Sequence, residues 1–236
     1  IAGGLHFWFF TIKGQGRAYK FDQREQATNN KQFLFRNQVH ENVFFSLVSG
    51  AGLISAYEIG YFWAAANGFA PVFFLTLGNP LGSLWFLVLM LVIPIWSSFH
   101  FYWVHRLLHW PLRYKLAHGL HHKNINVGPW SGVSMHPVEH VLYYSSLLVH
   151  FVVPTHPILF VFHVCYLNLG PPFSHAGFEQ IVVRDKDRLK AGDFFHQLHH
   201  RFFECNYGTV EMPWDRWFGS FDNGTPESRA RQQERM

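Results

Sequence analysis

Between Asn42 and Phe99 the chain is almost uniformly apolar, with Glu58 as its single charged residue; Asn67-Gly68 and then Gly78-Asn79-Pro80 divide the run in two. The two segments, roughly 43 to 66 and 81 to 105, are each long enough to cross a bilayer as a helix, which takes about 20 residues. They predict a transmembrane hairpin. A second apolar region, about 133 to 176, is broken at Pro154-Thr155-His156-Pro157, where proline stops one helix and starts the next. It predicts a second hairpin, of helices of roughly 20 residues that at about 1.5 Å rise just span. From Glu179 onward the sequence turns polar, with Trp and Phe interspersed, and reads as a soluble or interfacial cap. The expected fold is an all-α integral membrane protein, with about four transmembrane helices in two hairpins and a helical cap. Residues 1–236 read as one domain, with no internal repeat or low-complexity linker.

Charge orients this arrangement. Arg17, Lys20, Arg24, Lys31 and Arg36 precede the first segment, and Arg106, Arg113, Lys115 and Lys123 follow the second. By the positive-inside rule both ends of the first hairpin face the cytoplasm or its topological equivalent. Met135 and His175 then return to that side. The formal charge of +4 lies in clusters beside apolar stretches rather than in a stripe interleaved with aromatics, so a membrane surface is expected and nucleic acid is not. With 26 Phe, 9 Trp, 9 Tyr and 14% charged residues, the composition also points to a multi-pass membrane protein; the endoplasmic reticulum, another organelle or a bacterial inner membrane would each suit it. Cys165 and Cys205 match no metal or disulfide spacing and are expected to be structural. The sequence opens at Ile1 rather than at a methionine and reads as part of a longer chain.

The 17 histidines outnumber Asp plus Glu, a bias that signals metal. Three clusters stand out: His105-Arg106-Leu107-Leu108-His109, His118-Gly119-Leu120-His121-His122 and His196-Gln197-Leu198-His199-His200. On a helix, positions i, i+3 and i+4 lie on one face, so each cluster presents its imidazoles together. An H-x-x-H-H pattern should arise about 0.09 times by chance in such a chain, and it occurs twice. Isolated His6, His40, His150 and His156 are better read as satisfied core residues. Eight clustered histidines exceed what one ion takes and suit two, although imidazole alone does not choose among iron, zinc, copper and nickel. The di-iron bundles of soluble proteins use Glu and Glu-x-x-His ligands, a paired motif this chain lacks.

At these residues the sequence resembles the fatty acid hydroxylase and sterol desaturase superfamily. An H-R-x-x-H box, an H-x-x-H-H box and a late second H-x-x-H-H box appear in order, and Asn206-Tyr207-Gly208, Trp214-Asp215-Arg216 and Phe218-Gly219 look like the family's ending. The resemblance covers roughly 95 to 222. It implies two iron ions as cofactors, with zinc a substitute in purified samples, and O2 as co-substrate. It also implies a lipid substrate and electrons from a donor of cytochrome b5 or ferredoxin type. Carried over residue by residue, the ligands are His105, His109, His118, His121, His122, His196, His199 and His200, joined by His175 in Phe173-Ser174-His175-Ala176-Gly177. His136 and His140 are either ligands or helix-capping residues that bond to ligand imidazoles, a role open also to Glu139, Asp193 and Asp215. His100 stands where relatives carry an acidic residue, and it and His163 are expected in supporting or packing roles.

The expected function is hydroxylation of a fatty acyl, sphingoid, sterol or ether lipid. The alternatives are desaturation by the same chemistry, or a catalytically silent structural subunit of a larger membrane complex.

Overall fold

The computed structural model describes residues 1–74, 79–184 and 186–233; Gly78, one of the residues expected to divide the first hairpin, lies outside them. The first apolar segment forms helix α1, Gln38–Ala66, whose middle turns at Phe45–Gly50 are π-helical. The Asn37 side chain caps it by accepting from the His40 N–H, and the chain leaves it at Asn67 and Gly68, where a φ of +77° favours glycine. Helix α2, Pro80–Leu108, starts in the same manner. Asn79 accepts from the Gly82 N–H and Pro80 occupies the first turn.

Both helices are long and apolar enough to cross a membrane, and only 11% and 22% of their most apolar stretches are buried. A core helix of a water-soluble protein would be mostly buried. Here Leu81 and Leu91 of α2 are 76% and 72% exposed, an outward apolar face that suits lipid rather than water. The inward faces pack Ile54, Tyr61 and Ala64 of α1 into a cluster with Tyr144, Leu147 and Phe160.

The second apolar region differs from expectation. It makes a short helical turn pair: α4, Pro137–Tyr144, runs on as a 3-10 helix, Ser145–Phe151, and α5, Pro157–Leu169, has 13 residues. At about 1.5 Å per residue α5 extends about 20 Å, short of the ~30 Å hydrocarbon core. Two helices of spanning length, rather than four, are therefore found among the described residues. The polarity of the pair is nonetheless as expected. Its proline break packs at the far end of the first hairpin, where the Thr155 N–H donates to Pro71 C=O and the Trp85 indole donates to Pro154 C=O.

At the other end sits the cap. Residues 114–122 wind as a π turn into α3, Gly119–His122, and the cap is completed by α6, Phe194–Phe202. A strand pair, which the all-helical expectation missed, precedes α6: β1, Gln180–Val183, pairs antiparallel with β2, Lys186–Lys190, with a bulge between Ile181 and Val182. The start of α1 is tied to this end by the Gln38 side chain, which donates to Asn124 Oδ1 at 2.9 Å and to Asn126 C=O at 2.8 Å.

Candidate metal centre

The helical period sorts the histidines. In α3 and the turn before it, His118 and His122 lie one turn apart, whereas His121 is rotated away by about 60°. The same holds for His196 and His200 against His199 in α6. Each H-x-x-H-H box therefore feeds two groups, whereas His105 and His109, one turn apart, feed one. His105, His109, His118, His122 and His199 form one, and His121, His175, His196 and His200 form the other; within each group one ring nitrogen per residue lies within 4.8 Å of all the rest. All are buried. The nine positions singled out from the sequence are thus brought together without exception, including the isolated His175 after α5.

The rings meet through Nε2. In the first group His109 Nε2 lies 3.1 Å from His118 Nε2 and 3.2 Å from His122 Nε2, and His199 Nε2 lies 3.1 Å from His122 Nε2. In the second, His175 Nε2 lies 3.0 Å from both His196 Nε2 and His200 Nε2, and 3.4 Å from His121 Nε2. Ligand atoms about 2.0–2.1 Å from a common ion are spaced about 2.9 to 3.4 Å apart at right-angle to tetrahedral positions, so these contacts match shared coordination.

Proton placement supports the same reading. Nδ1–H of His105 donates to Tyr207 C=O at 2.6 Å, that of His121 to Ser134 C=O at 3.2 Å, that of His175 to Pro171 C=O at 3.0 Å and that of His199 to Cys205 C=O at 2.6 Å. Each such bond leaves Nε2 bare and fixes the ring. Bare nitrogens that face one another, as in His121 and His175, repel unless a cation sits between them. His105 Nε2, buried at the same place, has no hydrogen bond among the described residues. Burial lowers the pKa of His118 to about 3 and of His121 to about 4, and burial reinforced by neighbouring imidazoles holds His109, His122, His175, His196, His199 and His200 well below the ordinary value. The rings are neutral at pH 7, the form that binds metal.

Around the rings the three acidic candidates take separate roles. Glu139 accepts from His118 Nδ1 at 2.7 Å, and burial raises its carboxyl to about 7. Asp193 instead caps α6, accepting from the His196 N–H at 2.6 Å. Asp215 accepts from the Tyr207 and Gly208 N–H groups, both at 2.8 Å, and so holds the loop whose carbonyl bonds His105.

His136 and His140 belong to neither group. His136 caps α4 by accepting from the Val138 N–H, while His140 bonds Ser49 Oγ at 2.8 Å and Val133 C=O at 3.1 Å. His100 bonds Ser145 Oγ and His163 bonds Ser97 Oγ, both away from the centre. Sequence reasoning missed the backbone carbonyls of Ser134, Pro171, Cys205 and Tyr207, which no residue type announces.

Histidines of both groups, His105 and His118 of one and His121, His175 and His196 of the other, line a cavity of about 620 Å³. Its remaining wall is mainly apolar, including Phe101, Val104, Leu108 and Phe162. Pockets of about 300–1,000 Å³ hold cofactor- or lipid-sized molecules.

The family model for the fatty acid hydroxylases matches residues 87–220, the stretch that holds all nine histidines. The chain belongs to the fatty acid hydroxylase family. It is 27% identical to the Delta(7)-sterol 5(6)-desaturase ERG3B of Gibberella zeae over 96% of this chain and 69% of that protein, and 30% identical to the lathosterol oxidase of Homo sapiens over 93% and 71%. It is also 27% identical to the Delta(7)-sterol 5(6)-desaturase of Candida glabrata, over 86% of this chain and 55% of that protein, so the chain spans only part of each relative. No solved structure matches it. The family and these relatives make the chain an oxidoreductase of membrane lipid metabolism, with its histidine clusters as the family's histidine boxes.

Proposed function

We propose that each histidine group holds one iron ion and that the chain, a single multi-pass membrane domain, uses O2 to oxidise an unactivated C–H bond of a sterol or sterol-like lipid. The observation that carries this reading is the convergence of nine buried imidazoles in groups of five and four, with histidines of both groups at the wall of an apolar lipid-sized cavity. Bound there, two irons would supply the activation of O2, which side chains alone cannot. The residues around them supply the rest. Glu139 and the carbonyls of Tyr207, Ser134, Pro171 and Cys205 fix ring orientation and tautomer, burial keeps water from the reacting carbon, and the apolar wall seats the lipid. Electrons enter from a separate donor, of cytochrome b5 or ferredoxin type.

Desaturation is the first reading of the outcome, because relatives that align with most of the chain carry that activity in their names. Hydroxylation remains the second, since both begin with loss of a hydrogen from carbon. Mass spectrometry of lipids from cells with and without the gene separates them, by loss of two hydrogens against gain of one oxygen. Metal analysis of native protein tests the site itself. Iron-free protein that consumes no oxygen and purifies in fixed ratio with other chains would identify a structural subunit instead.

A further inference from the structure

The walls of the cavity show where it reaches the surface. Among the described residues that line it, Cys165, Leu169, Gly170, Lys190, Val210 and Glu211 are exposed, and the rest are buried or half-buried. Cys165 and Leu169 lie one turn apart on one face of α5, near the end that leads to His175. Lys190 ends β2, and Val210 and Glu211 follow Gly208 in the loop that holds His105. Glu211 acts electrostatically both on Asp193, beside β2, and on Tyr166 of α5, which brings the two sides of the opening together.

This mouth is at the cap end of α5, and its lips differ. Cys165, Leu169 and Val210 are apolar, whereas Lys190 and Glu211 are charged. Such an opening suits a lipid that arrives sideways from the bilayer with its polar end at the surface. From the mouth the cavity runs inward along α2, past Leu108, His105 and Phe101 to Ser97, which precedes His105 by about 12 Å on the helix axis. A lipid seated in this way keeps the orientation it has in the leaflet, with its tail toward the bilayer centre.

Two polar side chains of the lining have unused hydrogen-bonding capacity. Asp193 caps α6 through Oδ1, which accepts from the His196 N–H at 2.6 Å, while its Oδ2 accepts no hydrogen bond among the described residues. The half-buried Tyr166 hydroxyl makes none among them either. One is an acceptor and the other can donate, and an alcohol both donates and accepts.

We infer that the lipid enters sideways between α5 and the Val210–Glu211 loop and stops where its hydroxyl donates to Asp193 Oδ2 and accepts from the Tyr166 hydroxyl, so that the anchored alcohol selects the carbon oxidised. That this ligand is a substrate rests on the oxygenase reading above. Asp193 precedes His196 by one helical turn, about 4.5 Å along α6. In a 3-hydroxy sterol, carbons 5 and 6 lie three and four bonds from the alcohol oxygen, about 4–5 Å at ~1.5 Å per bond. The anchor therefore brings ring B, and not the tail, to the second histidine group. The names of the sterol relatives give that same bond for those proteins.

The test is binding of cholestanol and of the ketone cholestan-3-one to the purified chain in nanodiscs, with no electron donor present. Only the alcohol can donate to Asp193, so it is expected to bind about tenfold tighter, the worth of one hydrogen bond to a charged group. Asp193→Asn keeps an oxygen to cap α6 but presents an N–H in place of Oδ2, and should bind the ketone at least as tightly as the alcohol. Tyr166→Phe should weaken both probes alike, since either oxygen accepts from the tyrosine. Cys165→Trp, bulky at an exposed lip, should slow uptake and release of cholestanol together. Equal binding of the two probes by the native chain, or an unchanged preference in Asp193→Asn, would overturn the anchor and leave the oxygenase reading intact. Unchanged rates in Cys165→Trp would overturn the entrance. Native protein without iron would overturn the oxygenase reading and leave the binding preference standing.

Discussion

His118 Nδ1 and Glu139 Oε1 lie 2.7 Å apart with both side chains almost fully buried, so one face of the first histidine group is oriented by a carboxylate rather than by backbone. Among the described residues the other Glu139 oxygen makes no hydrogen bond. The carboxylate therefore serves His118 alone, sharpening the basicity of its Nε2.

Glu139→Gln keeps an acceptor oxygen but removes the charge, and Glu139→Ala removes both. Metal affinity, measured by competition with a chelator, is expected to fall by about 10- to 100-fold, with Ala the more damaging. Equal affinity in all three proteins would show that Glu139 does not orient a ligand.

His121→Ala removes one of four imidazoles from the second group and none from the first. The variant is expected to insert in membranes normally, retain about half the native metal and lose lipid product entirely, since both ions are needed. His156→Ala is the control. His156 caps α5 by accepting from the Ile158 N–H, far from either group, and should leave metal and product unchanged.

Asp215 is buried and accepts three hydrogen bonds, from the Tyr207 and Gly208 N–H groups and from Ser220 Oγ at 2.6 Å. Asn offers one acceptor oxygen where Asp offers two. Asp215→Asn is expected to cost about 1–3 kcal/mol, read as a lowered melting temperature in detergent, because a buried donor loses its partner. It should also loosen the Tyr207 carbonyl that holds His105, so metal content falls with stability.

These residues mark how far the sequence could be read. Spacing alone exposed His118, His121 and His122 as a unit, because a helix imposes its period on any side chain it carries. His175 was legible only through family resemblance, since nothing local distinguishes it from His163. The first hairpin was visible in its uninterrupted apolar run. In the second apolar region helix length is set by the 3-10 turn at Ser145–Phe151 and by Pro154 and Pro157, so its helices are shorter than its apolar composition implies. The roles of Asp193 and Asp215 depend on which backbone N–H groups tertiary packing brings near, and that information is not local.

Gly132 carries the last prediction. A Cβ there would lie 2.4 Å from Pro171 O and 2.5 Å from Pro171 C, both backbone atoms that cannot swing aside. The same Pro171 carbonyl accepts from His175 Nδ1 at 3.0 Å, and His175 is the ring that touches His121, His196 and His200. Even the smallest added side chain therefore acts on the second histidine group through a displaced carbonyl. Gly132→Ala is expected to lower metal affinity and product formation at least tenfold, as loss of an outer hydrogen-bond partner does, while the first group keeps its ion. Gly60→Ala, on the outer face of α1 where nothing lies within 4 Å, should have no such effect. Native metal content in Gly132→Ala would mean that the Pro171 carbonyl can move without releasing His175.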